Sequence, residues 1–146
     1  MNLFSAMEIA ASGLSAQRIR LNALASNLAN ARTTQTPQGG PYKRLDPVFK
    51  AEPVNVRFEE LLADPASSSA YMVTVPEVRQ DQDPPQITYD PNHPDANAEG
   101  FVELPNVNVV EEMVNMITAS RSYDAGVTVM KTIGNMARNA LSIGGQ

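Results

Sequence analysis

The sequence predicts an α+β chain in which long N- and C-terminal helices pair as a coiled-coil-like layer, with a small, irregular antiparallel β unit between them. Three observations carry that prediction. All eleven prolines fall between Pro37 and Pro105, leaving 36 residues before and 41 after free of the strongest helix breaker. Inside the first proline-free stretch, leucine recurs every seven positions at Leu14, Leu21 and Leu28. Between the prolines, β-branched and aromatic residues return with a period near two. The expected division is a discontinuous helical assembly domain, 1–35 with 106–146, and a proline-rich β and loop segment, 36–105.

Ser5 followed by Glu8 reads as a capping box, with Phe4 and Ile9 as its hydrophobic staple, so the first helix is expected to begin near Ala6. Its apolar positions fall at Met7, Ala10, Leu14, Leu21, Leu24, Leu28 and Ala31, a three-four spacing interrupted by Gln17. Its polar face carries Ser12, Ser15, Asn22, Ser26, Asn27 and Asn30, which hydrogen-bond but hold no charge. Ser and Asn are mediocre helix formers, so the face reads either as a weak helix or as one suited to close approach by several neighbours. Asn30 is expected to close the helix in a left-handed cap, with Thr33 and Thr34 leading out.

TPQGGP, 36–41, is a loop. The runs 42–51, 54–62, 69–80, 85–90 and 100–104 follow as strand candidates, and Pro47, Pro76 and Pro105 confine them to edge or irregular strands. The connections 64–69 and 81–85 are expected to be the most mobile. Asn108 with Glu111 marks a second helix start after Pro105. That helix has Met113, Met116, Ile117, Ser120, Tyr123, Val127, Met130, Ile133, Gly134, Ala137 and Leu141 in a heptad-like stripe and stops at Gly144 and Gly145. Gly126 and Gly134 each weaken it by about 1 kcal/mol relative to Ala.

Charge follows the same partition. Residues 1–50 carry a net +4, residues 51–105 a net −9, and the rest are neutral. An acidic middle with few aromatic platforms argues against nucleic acid as a partner. The absence of cysteine removes disulfides and thiolate metal sites. MNLFSAMEIA has neither a basic leader nor a continuous apolar run, so no Sec-type signal peptide is expected. No stretch approaches the roughly 18 apolar residues of a membrane span.

Asp90, His93, Asp95 and Glu99 lie within ten residues of one another, but they include the only histidine, and Pro91 and Pro94 spoil a calcium-loop register. The favoured reading is a proline-fixed turn whose Asp and Asn bond to their own backbone. No activated nucleophile, phosphate-binding glycine loop or carboxylate pair is present as a local motif, so no enzyme, cofactor or small-molecule substrate is expected. The stripe Met113, Met116 and Met130 reads as core, or as a groove awaiting a partner. Arg121 either pairs with Asp124 in solvent or bridges to a neighbour.

These segments carry a resemblance. SGLSAQRIRLNALASNLANARTT is similar to the N-terminal signature of the flagellar rod, hook and hook-associated axial proteins, and residues 109–141 resemble their paired C-terminal helix. GGPYKR and YDPNHPDANAEGFVELPNVNVVEEM narrow the resemblance to proximal rod subunits of the basal body. The resemblance implies a structural subunit whose terminal helices form the inner layer of a helical tube. It implies assembly with other rod proteins, with neighbouring copies and with proteins at the MS-ring junction. It further implies a periplasmic rod location in the flagellum, reached through the flagellar type III export apparatus without a cleaved signal.

Carried over as assembly positions are the leucines Leu14, Leu21, Leu24 and Leu28, with Asn27, Asn30, Thr33, Thr34, Asn106, Glu112, Arg121 and Tyr123. The helical stripe adds Met113, Ile117, Val127, Met130 and Leu141. Gly126 departs from the family pattern, which places Asn there, and is expected to cost one inter-helix bond. The alternative reading is an export or assembly adaptor that binds through the same helices without becoming part of the polymer.

Overall fold

The computed structural model describes residues 3–54 and 70–144. Their element order is α1 (Leu3–Ala29), β1 (Leu45–Pro53), β2 (Tyr71–Gln80), β3 (Gln86–Tyr89), β4 (Phe101–Leu104) and α2 (Val109–Gly144). β1 pairs with β2 and β3 with β4, so the expected α+β arrangement of two long helices around small antiparallel sheets is what forms. Pro47 and Pro76 sit inside their strands rather than ending them. A two-stranded sheet consists of edge strands only, and on an edge a proline whose nitrogen faces away from the partner costs no ladder bond. Most of the strand candidate 54–62 and nearly all of the connection 64–69 lie outside the described residues.

α1 begins at Leu3, not Ala6. Ser5 and Glu8 therefore lie inside its first turns instead of forming a capping box, and the staple residue Phe4 is largely exposed. Nothing before Gly13 interrupts propagation, so the helix runs back past the serine. At the other end no non-glycine residue has positive φ, and Asn30 does not adopt a left-handed cap. It closes the helix through its side chain, Nδ2 donating to the Ser26 carbonyl at 2.9 Å, while the Thr33 N–H bonds to the Asn30 carbonyl at 3.0 Å. The second helix starts as expected: Asn108 Oδ1 accepts from the Val110 N–H at 3.1 Å and the Glu111 N–H at 3.4 Å.

The chain divides into two compact units, each taking part of both helices. The first comprises Met1–Ile19, Val48–Pro76 and Ala119–Gln146. Its buried apolar residues are Ala16, Val54 and Ala119. Leu14 packs on Gly126 so closely that a Cβ there would lie 2.9 Å from Leu14 Cδ2. A groove along this contact is lined by Ala10, Gly13 and Gln17 from α1 and by Ser122, Gly126 and Val129 from α2. Ser12 fastens the sheet to α1: its Oγ donates to the Ile9 carbonyl at 2.8 Å and accepts from the Val73 N–H at 3.1 Å.

The second unit comprises Arg20–Pro47 and Glu77–Thr118, with Ala23, Leu24, Val102 and Val107 buried. β3 and β4 pair from Gln86↔Leu104 to Tyr89↔Phe101, and the Tyr89 and Phe101 rings meet edge to face at 5.3 Å. The residues that connect these strands form a turn held by its own side chains. Asn97 Oδ1 accepts from the N–H groups of Glu99 at 3.0 Å and Phe101 at 2.9 Å, and Asp90 Oδ1 accepts from Asn92 at 3.2 Å. Gly100 has φ +83°, and a Cβ there would meet Tyr89 at 2.9 Å, so this corner requires glycine. The turn reading of Asp90 to Glu99 is thus the one the chain adopts.

Candidate assembly interface

The last turns of α1 read SNLAN, 26–30, and Asn27 is fully buried there at 0% exposure. Glu112, in the first turn of α2, is 1% exposed. A buried amide must find partners for two donors and two lone pairs, and Asn27 satisfies all four. Its Nδ2 donates to the Leu45 carbonyl at 2.9 Å and to Glu112 Oε2 at 3.0 Å. Its Oδ1 accepts from the Leu45 N–H at 2.8 Å and the Tyr42 hydroxyl at 3.0 Å. Since that hydroxyl has spent its proton, the Ser26 hydroxyl, 3.1 Å away, is the donor between the two.

The other Glu112 oxygen, Oε1, accepts from Arg44 Nε at 2.7 Å. Partial burial works against the Arg44 charge, but the hydrogen bond and attraction from Glu112, helped by Asp46 and Asp81, outweigh it and hold the guanidinium pKa above its usual value. The buried carboxylate is therefore both paired and hydrogen-bonded, the condition under which a charge tolerates low dielectric. Three elements meet at this junction: the end of α1, the start of β1 and the start of α2.

Other positions expected at the interface are used within the same unit. Thr33 Oγ1 donates to Asn30 Oδ1 at 3.2 Å, and Thr34 Oγ1 to Asp95 Oδ2 at 2.7 Å. Gln86 Nε2 donates to Asn106 Oδ1 at 3.4 Å. Leu24 is buried, while Leu21 and Leu28 are half-buried. In the first unit Leu14, Tyr123 and Met130 line one groove with Arg18, and Val127 is half-buried.

The remaining expected positions face solvent. Met113 is 48% exposed, Ile117 56% and Leu141 77%; Arg121 is exposed too and makes no ion pair with Asp124. With Val110 and Val114, which the stripe omitted, Met113 and Ile117 recur at i, i+3, i+4 and i+7, so they form one uncovered apolar face on the first two turns of α2. Val129, Met136 and Ile143 expose a second line with a seven-residue repeat. What these faces can do is bury apolar area against another protein surface.

Comparison with known proteins gives the surfaces their context. Residues 7–34 match the family model described as flagella basal body rod protein, and residues 98–143 match the C-terminal model of the flagellar basal body rod FlgEFG proteins. Over nearly its whole length the chain is 42% identical to the flagellar basal-body rod protein FlgC of Borreliella burgdorferi, with 98% of each chain covered. It is 41% identical to FlgC of Escherichia coli O157:H7 and 37% identical to FlgC of Bacillus subtilis, with 99% of each chain covered. The chain belongs to the FlgC family of flagellar basal-body rod proteins. Both rod-protein models fall on the parts that form the polar junction, with Asn27 in the first and Glu112 in the second.

Within this FlgC-family chain, sequence reasoning missed Tyr42, Arg44 and the Leu45 backbone as members of the junction. It also missed Ala16, Ala23 and Ala119, which are buried more deeply than Leu14, Leu21 and Leu28. Alanine carries little periodic signal on a hydrophobicity scale, and Arg44 is indistinguishable by sequence from a solvated cation.

Proposed function

We propose that this chain is a structural, non-enzymatic subunit of the flagellar basal-body rod, assembling with other rod proteins and with copies of itself through its terminal helices. The full-length identity to FlgC relatives, which extends through the middle segment as well as both helices, carries the reading. The helical parts 1–35 and 106–146 form the assembly layer, and 36–105 lies outside it. Leu14, Leu21, Leu28, Met113, Ile117, Arg121, Tyr123, Val127, Met130 and Leu141 contribute the surface offered to neighbours. Asn27, Asn30, Thr33, Thr34, Asn106 and Glu112 shape that surface from within the subunit.

Two features favour an unfinished surface over a solvated one. The face Val110, Met113, Val114 and Ile117 is uncovered, and Gln17 Oε1 is buried without a donor among the described residues. The finer partners in this reading are the proteins at the MS-ring junction and the flagellar type III export apparatus, with a periplasmic rod as destination and no cleaved signal. Val114→Asp with Ile117→Asp tests it, because both side chains are exposed and their replacement spares the subunit core. Cells carrying the pair are expected to lose motility and to lack the subunit in detergent-resistant basal bodies. Normal incorporation would remove the reading.

A further inference from the structure

Two open surfaces of this chain differ in shape and in the sign of their charge. The first is the outer face of the β3–β4 hairpin. Residues opposite one another in an antiparallel pair share a face, as do alternate residues along a strand, so Ile87, Tyr89, Phe101 and Glu103 stand together on one side. Val102, on the other side, is buried. Ile87 is 67% exposed and Tyr89 64%, so two large apolar side chains project from the hairpin into solvent. The segment 81–104 that carries them holds six carboxylates and neither lysine nor arginine. Glu103 itself is exposed and has no ion-pair partner among the described residues.

The second surface is the groove of the first unit in which Leu14, Tyr123 and Met130 lie half-buried beside Arg18. Arg18 is the one charged residue that lines it, and it too is exposed without an ion-pair partner among the described residues. Leu14 and Arg18 are one turn apart on α1, a separation of about 5–6 Å between Cβ atoms. Ile87 and Glu103, directly across the hairpin, are about 5 Å apart. Each surface thus sets a branched apolar side chain beside a charge at nearly the same spacing, and the two charges are opposite. Methionine adapts its shape readily, so Met130 suits the groove to receive a protruding side chain.

We propose that the hairpin of one copy seats in the Arg18 groove of a second copy, with Ile87 against Leu14 and Met130 and Glu103 at Arg18. The partner is a second copy because both halves of the match are carried by one chain and both are open in it. The uncovered face Val110, Met113, Val114 and Ile117 is the poorer seat. Glu111 is exposed beside it and residues 109–117 contain no lysine or arginine, so an acidic hairpin there would meet like charge. Because the contact joins two different surfaces, each bound copy still offers a hairpin or a groove to the next, and the contact repeats as a ring or an open series. The proposal rests on the reading that copies of this chain assemble, and it names residues through which they do so.

Charge reversal tests it. Glu103→Arg and Arg18→Glu are made singly and together in the full-length chain, and the subunit is measured in detergent-resistant basal bodies. Both side chains are exposed, so the helical circular dichroism of all three variants is expected to match the parent. Each single change is expected to lower incorporation at least about tenfold by facing like charges, and the double reversal to return it to within about threefold of the parent. Singles that incorporate normally overturn the proposal, as do singles that fail without recovery in the double, since those charges then meet another protein. Loss of incorporation in the Val114→Asp, Ile117→Asp chain bears only on rod assembly, so the two can fail separately. The chain contains no cysteine, which permits a second measurement. Purified Ile87→Cys chain mixed with Met130→Cys chain and oxidised is expected to give the mixed disulfide at least about tenfold over a mixture with Val110→Cys chain, since only closely approaching Cβ atoms can be bridged. An equal or greater yield with Val110→Cys overturns the seat.

Discussion

Two places where the same pair of helices meets are built on opposite principles. Around Asn27 the contact is polar: every hydrogen-bonding group of one amide is used, and a buried carboxylate is held by an arginine and that amide. Around Leu14 it is steric: a leucine rests where α2 has no side chain at all, at Gly126. The polar contact is demanding in chemistry and tolerates no substitute, whereas the steric one asks only for small size on one side. Specificity and closeness of approach are thus supplied from different residues.

The comparison breaks first at the polar end. Glu112→Ala leaves one of the two Asn27 Nδ2 donors unmatched and strips Arg44 of its partner, and it is expected to lower unfolding stability by about 3 kcal/mol. Urea denaturation followed by circular dichroism would measure it, and a loss under about 1 kcal/mol would mean that water replaces the carboxylate without penalty. Next comes the steric end. Gly126→Val drives a branched side chain into Leu14 and is expected to cost about 2 kcal/mol by overpacking. If valine there were neutral in the same measurement, the close approach of Leu14 would not be what glycine is for.

The two ends also differ in how far the sequence discloses them. The α+β class, the two helices and the edge character of the strands follow from proline placement and residue periodicity, because those are backbone constraints that act locally. On α2 the periodicity locates one row, Met116, Tyr123, Met130 and Ala137, all half-buried. In the second row the stripe includes Ile133, but nearer the start of the helix it takes the exposed Met113 and Ser120. The residues buried there are their neighbours Glu112 and Ala119, a charge and a methyl that a scale of hydrophobicity does not mark.

On α1 the leucine line lies roughly 140° round the helix from Ala16, Ala23 and Asn27, taking about 100° per residue, so the most conspicuous residues are not the most buried. The resemblance singled out Asn27 and Glu112, but only the geometry shows that they face each other. Gly126 shows the same gap from the other side. Read against the family pattern it looked like a lost amide, and in the structure it is the seat of Leu14.

The smallest effect isolates that seat from ordinary helix propensity. Gly126 and Gly134 lie on the same helix, yet a Cβ at Gly134 meets nothing within 4 Å, while one at Gly126 meets Leu14 at 2.9 Å. Gly134→Ala should therefore gain the full helix-propensity difference and raise stability by about 1 kcal/mol. Gly126→Ala gains the same backbone term, but Leu14 must turn away from its position, and the two contributions offset to within about 1 kcal/mol of neutral. Measured side by side in urea, the pair removes propensity from the comparison, because only packing differs between them. Equal stabilisation by both alanines would show that Leu14 moves freely, and the steric half of the helix contact would then specify nothing.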